Sequence, residues 1–567
     1  MLLGSFDLDL DNLKSIILVV LTASSLVYAC YLIWNNLLKR EAIPKTLRPL
    51  PGPPTRPFVG NAGQFNPLAP YSTFQKWAKE YGPIYRVKLG SQTYISVNDA
   101  RIAKELFEKR GNKYNSRIST HVGYELLSQE RRITFTPHGD KHNTFRKQIH
   151  NILSISKTRD NQRFQELESR QLLKEFLEYA GSAESQPSDV QQIFRRYTAS
   201  IMMTLSFGHR IKDLAADGLV KTIFTIMEGF GKAIQPGQYL VDAMPILKHL
   251  PYAFKPWEQE VDREIKWQWP FMYGLLQRVE EQMDKGIPNI GLIRQLSEQR
   301  KDMSEREREE KFLDDRSIGY QSMTLMEAGA DTTGITMMNF VLAMLLHPEA
   351  QAKGREAIDR TVDDSRLPTF EDLPNANYIN QIVKEVMRWR PVITLGIPHA
   401  NTTEDEYDGY YIPKDSIVYG NIWNINRDPS RYEDPDSFHP ERYDGVTGSA
   451  FELSTVPNAL DRDHVTFGWG RRICAGMHLA ERSVMLVAAR ILWAFEIEPA
   501  RDAEGNIVPV TADFDKAYDH SVVASPKPFP VSFKVRSEKR KQVILESFRD
   551  AELTWEEMNL DLFADVK

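Results

Sequence analysis

Cysteine is almost missing from this 567-residue chain. Only Cys30 and Cys474 occur, and Cys30 sits in an apolar N-terminal run. A disulfide framework is therefore excluded, and Cys474 is left as a free thiol. Excess charge is missing too: 71 basic against 77 acidic residues leave a net charge of −6, with no electrostatic reason to expect nucleic acid. No nucleotide fingerprint is present. Gly468-Trp-Gly470 begins like one, but Ile473 stands where the third glycine belongs, and no strand or acidic residue follows in the required places. No metal-ligand set stands out either. His138 and His142 are four apart with no further ligand in view, and His478 with Glu481 reads as helix surface or loop packing.

What is present centres on Phe467-Gly-Trp-Gly-Arg-Arg-Ile-Cys-Ala-Gly476, followed by a largely apolar run, Leu479 to Leu492, of helical character. A thiol just before a helix and beside Arg471 and Arg472 lies in positive potential, which favours the thiolate. Gly468, Gly470 and Gly476 permit tight turns and let backbone approach a flat, bulky group. A soft thiolate on such a loop suits haem iron. A second long apolar helix is expected over Gln321–Leu346, and it contains Glu327-Ala-Gly-Ala-Asp-Thr-Thr333. Gly329 weakens it, and Thr332 or Thr333 can bond a preceding carbonyl.

The pattern Phe467-x-x-Gly470-x-Arg472-x-Cys474-x-Gly476 resembles, position for position, the haem-binding signature of the cytochrome P450 family. The resemblance implies a mainly α fold with a small β region, haem b held by Cys474, and Arg472 as a propionate partner; Phe467 and Gly476 belong to the same cofactor loop. It assigns Asp331 and Thr332 to proton delivery during dioxygen activation. An acid open to solvent beside a hydroxyl that both donates and accepts is a chemically sensible relay. Glu385-Val-Met-Arg388 is similar to the family's buried Glu-x-x-Arg pair. Arg442, in Phe438-His-Pro-Glu-Arg442, completes that network as a structural brace of the cysteine loop. His138 to Arg146 is similar to the helix that usually carries Trp-x-x-x-Arg toward the propionates; Arg146 matches and His142 replaces the tryptophan. His399 is a further propionate contact. Ala328, Ile393, Thr394, Leu395, Val522 and Val523 are implied as substrate pocket, mostly apolar, with Thr394 the polar exception.

Residues 16–34 run without a charge, long enough to span a bilayer as a helix. Lys39, Arg40, Lys45 and Arg48 follow it, so the positive-inside rule puts the remainder in the cytosol. A cleaved signal would have a shorter apolar core and a basic rather than acidic leading segment. The expected organisation is a lumenal 1–15, a transmembrane anchor 16–34, a proline-rich hinge 35–58, a haem domain 59–536 and a tail 537–567 of no assigned role. Hairpin strands are expected at Ile84–Leu89 and Thr93–Val97, with a helix cap at Asn98-Asp99. Arg300–Lys311 reads as an exposed charged face or loop. The aromatics Trp257, Trp267, Trp269, Phe271 and Tyr273 read equally as core or as a membrane-touching access region. Asn401-Thr-Thr403 is a glycosylation sequon that a cytosolic domain leaves unused.

The resemblance further implies an endoplasmic-reticulum monooxygenase that takes NADPH-derived electrons from a membrane flavoprotein, NADPH–cytochrome P450 reductase, with cytochrome b5 as a further partner of such enzymes. It would oxidise an apolar small molecule with dioxygen. The style of Arg388-Trp-Arg-Pro-Val392 is similar to fungal secondary-metabolite members. Two alternatives stand beside this reading: a thiolate-haem isomerase or dehydratase without net oxygen insertion, and a non-enzymatic haem or lipid carrier.

Overall fold

A computed structural model describes residues 10–33, 43–57, 59–66, 69–90, 92–235, 237–520 and 523–563. The chain is mainly helical. Helix α1 (Leu10–Ile33) precedes the folded body, which is built on α2 (Asp140–Leu153), α3 (Thr158–Gly181), α4 (Pro187–Phe207), α5 (Gly218–Ala233), α6 (Pro256–Asp284), α7 (Asp315–Leu346), α8 (Asn377–Trp389), α9 (Met477–Ala494) and α10 (Glu538–Met558), with shorter helices between them.

Helix α7 is the axis. It is apolar on nearly every face, which marks a helix meant for the interior, and α4, α6, α8 and α9 pack around it. Asp314 caps its start by accepting from the Ser317 amide at 3.1 Å. Pro348 follows its end at His347. By length and apolarity this segment would qualify as a membrane span, but it is mostly buried inside the protein, so it is core.

The β part is small. Strands β1 (Arg48–Pro49), β2 (Ile84–Leu89), β3 (Gln92–Val97), β4 (His399–Ala400), β5 (Asp405–Tyr407), β6 (Tyr410–Ile412), β7 (Ile417–Gly420), β8 (Phe495–Pro499), β9 (Tyr518–His520), β10 (Ala524–Pro526) and β11 (Val531–Val535) form four sheets. The largest has the order β2-β3-β7-β4. The expected hairpin is antiparallel β2–β3, with Ile84 opposite Val97, and Asp99 caps the next helix through the Arg101 and Ile102 amides. β4 hangs on the edge of this sheet, His399 opposite Val418, which fixes where His399 points.

Several expectations change at this level. Part of the stretch read as a proline-rich hinge is docked: β1 pairs with β6, Leu50 is buried, and the Arg86 amide donates to the Pro51 carbonyl. Arg300, read as part of an exposed face, is buried between Glu280 and Asp315 at 2.7 and 2.5 Å. Asn401 is buried as well. Its amide donates to the Thr403 and Pro413 carbonyls at 2.8 and 2.7 Å, so the sequon is a loop staple. Of the two roles expected for Glu481, packing holds and helix surface does not: it is buried beside Lys384 and accepts from the Ala450 amide at 2.8 Å. Among the aromatics, Trp257 is buried, Trp269 stacks on Tyr273, and Trp267 remains exposed.

The tail is a folded element. Its helix α10 lies along α3, with Ile544, Ala551 and Trp555 buried, and Leu560 and Leu562 beyond it are buried too. Trp555 covers the guanidinium of Arg210, which bonds the buried Glu168 at 2.9 Å. Arg196 meets the same carboxylate from α4. The tail thus closes a buried charge network instead of trailing into solvent.

Candidate active site

The cysteine loop is a backbone device. The Cys474 amide donates to the Phe467 carbonyl at 2.9 Å, and the Ile473 amide to Gly470 at 3.1 Å, folding residues 467–474 into a closed turn before α9. Gly468 and Gly470 take φ of +84° and +54°, values that favour glycine. Gly470 also lies so close to the Phe107 carbonyl that a Cβ there would fall well inside 3.0 Å. Gly476 has an ordinary φ of −92° as the residue before α9, so its expected conformational role is not required. Phe467 is half-buried against the core, its ring 5.8 Å from that of His464.

The source of positive potential at Cys474 differs from the sequence reading. Arg471 is exposed, and Arg472 turns away to donate to the Asn115 and Thr136 carbonyls at 2.6 and 2.7 Å. Burial pushes the Cys474 thiol up; the Gly476 amide and the Arg146 guanidinium, reaching in from α2, pull it down. Cys474 nevertheless keeps accessible surface, so the thiol can be reached by a ligand.

Beside this loop gathers a set of cationic and imidazole side chains without counter-ions. Arg117, which sequence reasoning missed, donates to the Thr134, Ile397 and Pro398 carbonyls at 3.2, 3.0 and 2.6 Å. Burial and then Arg472 lower its pKa well below the usual range. His142 is buried with Nδ1 unpartnered, and burial together with Arg472 lowers it to about 3. His138 Nδ1 and the whole side-chain amide of Asn115 are likewise buried without partners. His399 has Nδ1 at 2.8 Å from the Tyr114 carbonyl and lies against the Phe107 ring; burial, then Arg117, drives its pKa far down. No Asp or Glu bonds Arg117, Arg146, Arg472, His138 or His142 among the described residues. Unpaired buried cations are costly, and a group carrying two carboxylates answers them. The residues therefore fit haem, which Cys474 would ligate and whose carboxylates this cluster would hold.

On α7, every residue from Ser317 to Leu345 is buried except Glu327, Ala328, Gly329, Asp331 and Thr332. An unburied stripe inside a core helix means that the helix borders an opening there. The Thr332 hydroxyl donates to the Ala328 carbonyl at 2.7 Å, the back-bond expected of it. The Ala330 carbonyl is taken by the Thr198 hydroxyl of α4. Asp331 does not bond Thr332. Its Oδ1 accepts from Arg195 Nε at 3.0 Å, a partner with no sequence signal because it lies 136 residues away. Gly329 is small for a packing reason: a Cβ would meet the Met202 side chain of α4.

The pocket segments converge in part. The Ala524 amide donates to the Val392 carbonyl at 2.8 Å, drawing β10 and Val523 to residues 393–395, and β10 packs on α7. Thr394 is buried, its carbonyl accepting from the Trp423 amide at 2.7 Å while its hydroxyl bonds no group among the described residues. Ile393 and Leu395 are half-buried, Leu395 packing against two apolar clusters. Val522 lies outside the described residues.

Behind the cysteine loop, Glu385 is fully buried. Arg388 bonds it twice, at 2.7 and 2.8 Å, Arg442 at 3.0 Å, and the His439 amide at 2.8 Å. Arg388 also donates to the Asn426, Pro435 and Ser437 carbonyls, so both ions are satisfied. A second buried network, Lys384–Asp463 with Glu481, flanks it and was not foreseen.

A helical body with an unpaired cysteine on a glycine turn, a cluster of uncompensated cations and an opened core helix defines a haem–thiolate protein. The chain belongs to the cytochrome P450 family, whose model matches residues 50–514. It is 35% identical over 570 residues to cytochrome P450 monooxygenase 79 of Postia placenta, covering 97% of this chain and 98% of that one. It is 32% identical over 510 residues to cytochrome P450 monooxygenase yanC of Aspergillus niger, covering 88% and 92%. Cytochrome P450 monooxygenase verL of Clonostachys rogersoniana is 32% identical over 531 residues, covering 93% of each chain. The protein is a haem-dependent monooxygenase and an oxidoreductase. These relatives favour oxygen insertion over the rearrangement alternative.

Proposed function

We propose that the protein is a membrane-anchored monooxygenase that oxidises a predominantly apolar small molecule of a fungal biosynthetic pathway, drawing electrons from a flavoprotein reductase. The observation that carries this is the pairing of Cys474 and its cation cluster with the opened stripe on α7. When bound, haem supplies dioxygen activation. The chain's own groups do the rest. Arg117, Arg146, Arg472, His142 and His399 hold and orient the cofactor. Asp331, held by Arg195 at a partly solvated position, takes up protons, and Thr332 passes them inward once its hydroxyl leaves the Ala328 carbonyl. Glu385, Arg388 and Arg442 keep the cysteine loop rigid. The Ala328, Thr394 and Val523 segments border the substrate.

Anchoring is supported by α1, whose described side chains from Leu18 to Cys30 are all exposed although mostly apolar. Burying such a face needs lipid or another apolar surface. The basic residues after it favour a cytosolic body at the endoplasmic reticulum.

The test is turnover in microsomes with reductase, NADPH and heavy-isotope dioxygen, followed by mass analysis of candidate metabolites. One labelled oxygen atom per product is expected, with Thr332→Ala still consuming NADPH but releasing peroxide. Product formation that is independent of NADPH and dioxygen would overturn the proposal.

A further inference from the structure

The stripe that α7 presents to the opening contains one charged residue the motif does not explain. Glu327 stands one position before Ala328, and its carboxylate is bound by Arg132 twice, Nε to Oε2 at 3.0 Å and Nη2 to Oε1 at 2.7 Å. The Arg132 side chain is 1% exposed and that of Glu327 10%. Phe230 of α5 lies over the guanidinium at 3.9 Å, and Nη1 is 3.3 Å from the Ser128 hydroxyl. The five residues that begin at Arg132 then run straight to the cofactor cluster. Thr134 and Thr136 give their carbonyls to Arg117 and Arg472, while the turn Ile133–Phe135 rests on α7. The ion pair therefore sits where the loop over the opening meets the helix beside it.

The hydrogen-bond arithmetic is asymmetric. Arg132 is a pure donor that spends three of its five N–H groups on Glu327 and Ser128, and its face is covered by Phe230. Each carboxylate oxygen of Glu327 accepts one hydrogen bond from it and keeps a lone pair. The two N–H groups of Arg132 left over lie on a side chain that is 1% exposed, against 10% for Glu327, so the pair turns its acceptor rather than a donor toward the opening. A purely apolar pocket, as the motif segments alone imply, would not carry it.

We propose that Glu327, fixed by Arg132, is the group that orients the substrate: a hydroxyl or N–H of the substrate donates to its carboxylate while the apolar body lies over Ala328. This deepens the monooxygenase reading by adding a substrate class, alcohols and N–H compounds in preference to plain hydrocarbons, with carboxylic acids disfavoured. Arg132 and Glu327 determine specificity and position; they take no part in oxygen chemistry.

The test uses the haem-loaded, full-length protein and three series of ω-imidazolyl probes of graded chain length, ending in a hydroxyl, a methyl or a carboxylate. The imidazole ligates the iron, so the Soret shift reports binding without turnover. At the chain length that reaches Glu327, the wild type should bind the alcohol on the order of tenfold more tightly than the alkane, with the acid weakest. Glu327→Gln should shrink that preference. The double variant Arg132→Met with Glu327→Met replaces the pair by apolar groups of similar length, so no ion is stranded. It should bring the preference to unity and bind the alkane at least as well. The ferrous–CO Soret band serves as the control. An intact thiolate band with the alcohol preference undiminished in the double variant overturns the proposal, as does a wild type that shows no alcohol preference at any length. Loss of the thiolate band in the wild type itself would instead overturn the haem–thiolate reading.

Discussion

Two glycines of the cysteine loop, two residues apart, should respond very differently to the same added methyl group. Both have positive φ, so Gly468→Ala and Gly470→Ala each place an alanine in left-handed backbone, at about 1–2 kcal/mol. Stiffening the unfolded chain returns about 0.4–1 kcal/mol in each case. For Gly468 nothing else follows, because nothing lies within 4 Å of its new Cβ. For Gly470 the new atom falls on the Phe107 carbonyl oxygen, a backbone atom with no rotamer to yield. Overpacking costs about 1–3 kcal/mol even where side chains can adjust, and here the loop itself must move away from the segment carrying Phe107. The Ile473 amide bonds the Gly470 carbonyl, so such a movement carries Cys474 with it. Gly468→Ala should keep the red-shifted ferrous–CO Soret band with a slightly lower urea midpoint. Gly470→Ala should lose most of that band and unfold at distinctly lower urea. The assay is CO-difference spectroscopy along a urea series. Equal midpoints and intact thiolate bands in both variants would refute the packing argument.

Arg388→Met leaves the buried Glu385 carboxylate with only Arg442 and the His439 amide and should cost about 3–5 kcal/mol, read as collapse of holoprotein yield; normal yield would show the network to be dispensable. His464 is buried beside the cysteine loop, and burial lowers it to about 4 from the ordinary imidazole value of 6.5. The unfolded chain therefore takes up a proton that the folded chain refuses, so stability falls as pH drops from 6.5 toward 4, by on the order of 3 kcal/mol. His464→Asn should flatten that slope in urea titrations, and an unchanged slope would assign the loss elsewhere. Truncation after Arg536 removes Trp555, Leu560 and Leu562 from their buried positions, at about 1.5–3 kcal/mol for each. It also uncovers Arg210. Insoluble or haem-poor protein is expected, and a truncated chain with the parent's urea midpoint would show the tail to be an accessory. Cys474→Ser should abolish the red-shifted CO band, and a retained band would remove the axial-ligand assignment.

The sequence by itself determined the parts of this protein that are written locally. The cysteine loop is legible because its glycines answer backbone requirements within a few residues. The Glu385–Arg388 pair is legible because helical spacing puts its partners on neighbouring turns. The core character of α7 follows from apolarity on every face, and the β2–β3 hairpin from alternation around a glycine. Only the tertiary structure decided which charges meet. Arg195 reaches Asp331 from 136 residues away and Arg132 reaches Glu327 from 195, separations at which no periodicity survives. It decided that Arg146 rather than Arg472 faces Cys474, because a long side chain's direction is set by the carbonyls that capture it, here those of Asn115 and Thr136. It decided that Arg300, Asn401 and Glu481 lie inside. A polar residue is buried wherever the fold supplies its partners, and those partners lie on other elements. The C-terminal segment was opaque for the same reason: its charged sequence looks solvated, while the few apolar residues that anchor it find their partners on α3 and other elements far away in sequence.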